Sequence, residues 1–240
     1  MPSTQLVESP LALSLAVTLR AEALAAEAIA SRGRFAVALP GGSVATTCFP
    51  RLAQATLDWS RTEVFFADER AVPPDHPESN YGIAYRLLLS SVPVRVDRVH
   101  RMAGEQALLA AAGRYEEALV GALGTPPVLD LVILGVGEDG HVGSLFSDRP
   151  CLDAPGGWVA AVLDAPKPPP QRLTLTMSTL VAARHVMVAA MGTGKGPAIR
   201  AALEDSASTL PVAELARGAR DVLFVFDADA ASLLGGVSSS

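Results

Sequence analysis

Leu129–Asp148 reads LDLVILGVGEDGHVGSLFSD. Its opening run, Leu131–Leu134, has no polar position, which is the pattern of a strand buried on both faces of a parallel sheet. Directly after it come Gly135, Gly137, Gly140, Glu138, Asp139 and His141. The spacing Gly135-x-Gly137-x-x-Gly140 satisfies the dinucleotide-binding fingerprint, but that fingerprint needs a helix immediately afterwards to aim its N-terminus at a pyrophosphate. Here the continuation is HVGSLFSDRPCLDAPGG, in which Gly143, Pro150, Pro155, Gly156 and Gly157 leave no room for a long helix. Glu138 and Asp139 would also place negative charge beside the phosphates. Two readings remain: a loop that serves only as a tight turn, or a mount for His141. Asp139 precedes His141 on a loop at a strand end, where it can orient or tune an imidazole acting as a general base, and this reading is favoured.

Outward from this stretch, short apolar runs alternate with longer helical patterns. That alternation predicts an α/β fold, Rossmann-like, with a mostly parallel sheet flanked by helices. Strands are expected at Phe35–Leu39, Glu63–Ala67, Leu131–Leu134, Val159–Leu163, Leu173–Thr176, His185–Ala190 and Val222–Phe226. Helices are expected near Pro10–Ser31, Val44–Gln54, Ser79–Ser90, Glu105–Leu123, Ser178–Ala183 and Gly196–Leu203. Pro126-Pro127 and Pro166–Pro170 punctuate the chain without dividing it. Half of the 240 residues are apolar, enough to bury a sizeable core. Residues 1–234 are therefore expected to form a single domain, with the Gly/Ser-rich residues 235–240 as a flexible tail.

Four expected strands end in polar or glycine-rich loops: PGGS at Pro40–Ser43, DER at Asp68–Arg70, GVGEDGH at Gly135–His141, and GTGK at Gly192–Lys195. Ligands of open α/β sheets sit beyond the carboxyl ends of the strands, so these loops are expected to converge on one site. GTGK is not a Walker A loop, because Ala189 and Gly196 stand where that motif needs Gly and Ser or Thr. A glycine-rich turn into a helix with one lysine still suits a phosphate monoester, and PGGS offers the same geometry plus a hydroxyl. The alternatives are a solvated Lys195 and a simple turn at Gly41-Gly42. Asp68, Glu69 and Arg70 stand where apolar burial stops, as a functional cluster or as a structural network in which Arg70 pairs with Asp68 or Glu69.

Asp75, His76 and Glu78 are interrupted by prolines and lack a metal-ligand spacing, so no metal or other cofactor is expected. His100 and His185 lie in or beside apolar runs and are expected to be structural. Cys48 and Cys151 are far apart, without a C-x-x-C partner, and are expected to be buried apolar side chains. The net charge of −6 carries no basic footprint for nucleic acid. No apolar run is long enough to span a bilayer and the N-terminus lacks a secretory pattern, so a cytoplasmic protein is expected.

Together, PGGS, FFADERAVPPDHPESNYG, LVILGVGEDGHVGSLF, QRLTLTMSTLVAARHV and MGTGKG resemble the 6-phosphogluconolactonases of the glucosamine-6-phosphate isomerase-like superfamily, in order and spacing, over nearly the whole chain. The resemblance implies a metal-free hydrolysis of 6-phospho-D-glucono-1,5-lactone to 6-phospho-D-gluconate in the oxidative pentose phosphate pathway. By the same resemblance His141 is the base that activates water, with Asp139 orienting it. Gly41, Gly42, Ser43, Arg172 and Lys195 match phosphate-holding positions, and Asp68, Arg70 and Asn80 line the substrate site. Arg70 or loop N–H groups are candidates for stabilising the oxyanion. The family's usual GGxTP is Gly-Gly-Ser-Val-Ala here, and its DGHTASLFP is Asp-Gly-His-Val-Gly-Ser-Leu-Phe-Ser. The sister chemistry, deamination with isomerisation of glucosamine 6-phosphate, carries a DEY-type element and a Glu five residues after the histidine, where this chain has Arg70 and Phe146. A sugar-phosphate-binding regulator without turnover would be expected to lose the base, which is present. The expected partner is therefore a small phosphosugar lactone, with no obligate protein partner.

Overall fold

The computed structural model describes residues 2–235. Its strands are β1 (Ser3–Val7), β2 (Phe35–Leu39), β3 (Thr62–Phe66), β4 (Asp68–Arg70), β5 (Leu131–Gly135), β6 (Leu152–Asp153), β7 (Val159–Val162), β8 (Arg172–Leu175), β9 (His185–Ala190) and β10 (Val222–Asp227). Its α-helices are α1 (Pro10–Arg32), α2 (Gly42–Leu52), α3 (Asn80–Leu87), α4 (Leu108–Leu123), α5 (Met177–Ala182), α6 (Gly196–Glu204) and α7 (Pro211–Gly218).

A parallel sheet runs in the order β1-β10-β9-β5-β2-β3. Its central strands are buried on both faces, and alternate residues feed two cores. Phe35, Val37, Leu39, Leu131 and Ile133 join Leu13, Val17 and Phe49 of α1 and α2. Ala36, Ala38, Val132 and Leu134 face Ala111, Tyr115 and Leu119 of α4. The period of two along a strand produces this division. At the start of α1, Ser9 Oγ accepts the Ala12 N–H at 3.1 Å and Pro10 takes the first turn; Gly33 at φ 76° ends the helix. No helix is long and apolar enough to cross a membrane among the described residues.

From β2 the chain moves outward to β3, then returns to the other side of β2 as β5 and continues to β9 and β10. The direction of winding thus reverses between β2 and β5, which opens a crevice beyond their carboxyl ends.

A small antiparallel sheet, β4-β8-β7-β6, closes this crevice. Two expectations are corrected here. The DER segment is not a loop: it is β4, paired with β8. The strands expected near Val159 and Leu173 lie in this second sheet rather than the parallel one, because short local patterns do not specify pairing direction. Edge strand β1 and helix α7 were not anticipated; β1 is mostly exposed and so lacks a continuous apolar run.

The structural histidines are as expected. His100 stacks on Phe65 and its Nε2 lies 2.8 Å from Glu63, while His185 Nδ1 lies 2.5 Å from Asp221. Cys48 is buried; Cys151 is only half-buried, beside the small cluster of Phe146, Val162 and Ala165. Of the expected tail, residues 236–240 lie outside the described residues.

Candidate active site

The loop after β5 is folded around its histidine. Gly137 N–H donates to the His141 carbonyl at 2.9 Å, and Gly140 N–H donates to the Gly137 carbonyl at 3.0 Å. Gly140 and Gly143 take φ values of 80° and 56°, which disfavour any side chain. Gly137 has a different reason to be glycine: a Cβ there would lie 2.0 Å from His141 Nδ1 and 2.3 Å from an Asp139 carboxylate oxygen. No helix follows the loop before α5, so the fingerprint glycines mount the histidine and build no pyrophosphate site.

His141 Nδ1 lies 2.5 Å from Asp139 Oδ1. Burial raises the Asp139 carboxyl, but the hydrogen bond and charge of His141 outweigh it and hold the group below its ordinary value. Burial depresses the His141 pKa, and the opposing pull of Asp139 does not restore it. An ionised Asp139 can only accept, so a neutral His141 carries its proton on Nδ1 and leaves the Nε2 lone pair as a base. The buried Phe146 ring packs against the imidazole at 4.6 Å between centroids, and the Arg172 guanidinium lies 5.7 Å from the Phe146 centroid.

Strand alternation sorts the DER residues. In β4, Asp68 and Arg70 face the cleft while Glu69 turns beneath it. Glu69 accepts the N–H groups of Arg70, Asn80 and Tyr81 at 2.7, 2.7 and 2.8 Å and the Ser79 hydroxyl at 3.0 Å. It therefore anchors the start of α3, although burial pushes its carboxyl up. Asp68 accepts Ser144 Oγ at 2.7 Å and Asn80 Nδ2 at 3.0 Å. The expected pairing of Arg70 with Asp68 or Glu69 does not occur; its Nη1 donates to the Glu78 carbonyl at 3.1 Å. Register instead sets Arg70 directly opposite Arg172. Burial, and then Arg70, pull Arg172 below the usual guanidinium value. Two like charges face to face are unfavourable until an anion lies between them.

Arg172 is tightly braced. Its Nε donates to the Pro169 carbonyl at 3.0 Å, Nη2 to the Lys167 carbonyl at 2.9 Å, and Nη1 to Ser144 Oγ at 3.4 Å. Across the cleft, α2 begins at Gly42, whose φ is 63°, and presents Ser43; the single 3-10 turn Thr193–Lys195 brings up Lys195.

These loops enclose a cavity of about 170 Å³ lined by Gly41, Gly42, Ser43, Asp68, Arg70, His141, Lys167, Arg172 and Lys195, among others. The four segments expected from the sequence do converge, with DER contributing as strand β4 and not as a loop. Asp139 stands behind His141. Asn80 is fully buried below the floor, where its Oδ1 has no hydrogen-bond partner and a Cβ on Gly41 would come within 2.1 Å of it. Asn80 supports Gly41 and Asp68 instead of lining the cleft. Sequence reading missed Lys167 and Ser144. Lys167 lies in a proline run that looked like punctuation, and only the fold brings Ser144 to Asp68.

The Gly137 geometry supplies a test. Gly137→Ala would push His141 and Asp139 aside, and we expect kcat to fall about 10²-fold, the usual cost of a displacement near 1 Å. Stopped-flow turnover of the correctly folded variant measures this; wild-type kcat would show that the pair does not depend on the close approach.

The family profile described as "Glucosamine-6-phosphate isomerases/6-phosphogluconolactonase" matches residues 8–224. The chain belongs to this family. Within it, a 6-phosphogluconolactonase of Rattus norvegicus is 41% identical over 211 residues, covering 85% of this chain and 82% of its own. The "Probable 6-phosphogluconolactonase 3, chloroplastic" of Oryza sativa subsp. indica is 36% identical over 231 residues, covering 89% and 70%. The structure of a 6-phosphogluconolactonase from Trypanosoma cruzi matches with a TM-score of 0.87 at 27% identity, covering 98% of this chain and 97% of that one.

Proposed function

We propose that this protein hydrolyses 6-phospho-D-glucono-1,5-lactone to 6-phospho-D-gluconate in the oxidative pentose phosphate pathway, with His141 activating the water. The observation that carries the reading is the Asp139–His141 pair opening into a cleft whose lining includes Arg70, Lys167, Arg172 and Lys195. Gly41, Gly42 and Ser43 at the start of α2, with Lys195 and Arg172, hold the phosphate. Asp68 and Arg70 face the sugar.

In this reading the neutral His141 takes a water proton on Nε2 as the water oxygen adds to the lactone carbonyl carbon, and the carbonyl π pair moves to oxygen. When that oxyanion collapses, the bond from the carbonyl carbon to the ring oxygen breaks. The ring oxygen then receives the proton from His141, so the imidazole serves first as base and then as acid. The new carboxylic acid loses its proton to solvent. Asp139 stays ionised throughout and steadies the imidazolium. Phosphate binding away from the reacting carbon supplies orientation.

Phe146 favours this reaction over deamination, because an apolar ring packs on His141 where the sister chemistry needs a carboxylate. The test is proton release from freshly generated 6-phosphogluconolactone, above the spontaneous rate, with glucosamine 6-phosphate as the control. We expect complete hydrolysis of the lactone and no ammonia from the amino sugar. Ammonia release by the wild-type protein would overturn the assignment.

Family membership does not set the compartment, since the rice relative is named chloroplastic. We place this protein in the cytoplasm, its residues 1–234 acting as one domain on a small phosphosugar lactone without a metal or an obligate protein partner.

A further inference from the structure

We infer that Lys167 is the cation of the reacting end, which holds the oxyanion during water addition and then the new carboxylate of the product; this rests on the lactonase reading above. The substrate carries one anionic group, its phosphate, whereas the reaction creates a second at the carbonyl carbon. The cleft accordingly holds more cations than a phosphate needs: Arg70, Lys167, Arg172 and Lys195.

The other cations of the cleft are tied to the protein or stand at the phosphate end, Arg70 in part only. Arg172 is braced by the Pro169 and Lys167 carbonyls and Ser144. Arg70 Nη1 is held by the Glu78 carbonyl, its buried Nε has no partner among the described residues, and register holds it opposite Arg172. In the loop after β5, Gly137 and Gly140 N–H groups close turns within the loop. Lys195 stands with Ser43 beside the start of α2, where both also border a second depression. The Lys167 ammonium forms no ion pair among the described residues.

Lys167 is also held in place. Its carbonyl is gripped by Arg172, which lies over Phe146, which in turn packs on His141. The hairpin that carries it is closed by the Ala165 N–H donating to the Pro170 carbonyl at 2.8 Å. Pro166, Pro168, Pro169 and Pro170 stiffen its backbone. The Lys167 charge reaches His141, where it opposes protonation of the imidazole. A lysine so placed favours negative charge at the carbonyl oxygen and keeps the base neutral by one and the same charge.

The experiment compares wild type, Lys167→Met and Lys167→Arg in hydrolysis of 6-phosphogluconolactone, with inhibition by 6-phosphogluconate and by glucose 6-phosphate, which lacks the carboxylate. For Lys167→Met we expect kcat to fall roughly 10- to 100-fold, less than the ~10²–10³ of a buried oxyanion donor because the lysine is exposed. KM should stay within about twofold, and the variant should bind 6-phosphogluconate several-fold more weakly while binding glucose 6-phosphate unchanged. Lys167→Arg, which keeps the charge, should recover most of kcat. A raised KM with unchanged kcat and equal weakening of both inhibitors would make Lys167 a phosphate contact and overturn the inference. Unaltered kinetics in Lys167→Met would overturn it as well, with the lactonase reading left standing. Absence of turnover by the wild type would overturn both.

Discussion

His141→Ala lowers kcat by about 10²–10⁴, with KM nearly unchanged, because the substitution removes the base and leaves the phosphate contacts in place. The expectation follows from the 2.5 Å contact of Nδ1 with Asp139, which leaves Nε2 as the basic nitrogen. The same geometry fixes the pH dependence. Burial depresses His141, so its neutral form persists to more acidic pH than an ordinary histidine would allow. On acidification kcat/KM should fall only once pH drops through that lowered pKa, and the acid limb should vanish in His141→Ala. Asp68→Asn should impair turnover less than His141→Ala, since Asp68 is committed to Ser144 and Asn80 and is not free to act as a base. Steady-state kinetics across pH on the three proteins checks this. A near-normal kcat in folded His141→Ala, or a larger loss in Asp68→Asn, would remove His141 from the mechanism.

Arg172→Ala is expected to raise KM for the phosphorylated lactone by the equivalent of roughly 2–5 kcal/mol, the range for losing one partner of a buried charge contact. It should also lower Tm. The part-buried Pro169 and Lys167 carbonyls lose their donor together, at about 1 kcal/mol for each hydrogen bond, while Ser144 keeps its bond to Asp68. Arg172→Lys should recover little of either, because an ammonium cannot span two carbonyls and a hydroxyl as the planar fork does. Unphosphorylated gluconolactone separates the two roles. Equal losses on both substrates would make Arg172 a brace for the Lys167 hairpin alone, whereas selective loss on the phosphorylated one supports a phosphate contact. Thermal melts with kinetics on both lactones distinguish these outcomes.

Much of this architecture could be read locally. Apolar runs such as Phe35–Leu39 and Leu131–Leu134 announce buried parallel strands, since they are too short for a helix and are flanked by glycine or proline. The failure of GVGEDGH to lead into a helix exposed the false fingerprint, because glycine and proline act on the backbone within a few residues, and Asp139 two residues before His141 marked a carboxylate–imidazole contact. The opposite holds for DER. Asp68 or Glu69 looked like a partner for Arg70, but Asp68 bonds Ser144 and Asn80, Glu69 serves the N–H groups at the start of α3, and Asn80 props the floor from below.

The sequence by itself determined a mostly parallel sheet flanked by helices, the segments that meet at the strand ends and the acid–histidine pair, all of which follow from side-chain period and backbone freedom over short spans. The tertiary structure alone decided the rest: that β4 pairs with β8 so that Arg70 faces Arg172, that Ser144 bridges Asp68 and Arg172, and that the proline hairpin sets Lys167 at the cleft. These relations join segments distant in the chain, through a strand register that depends on which side chains the whole core can bury at once, and no local pattern encodes that choice.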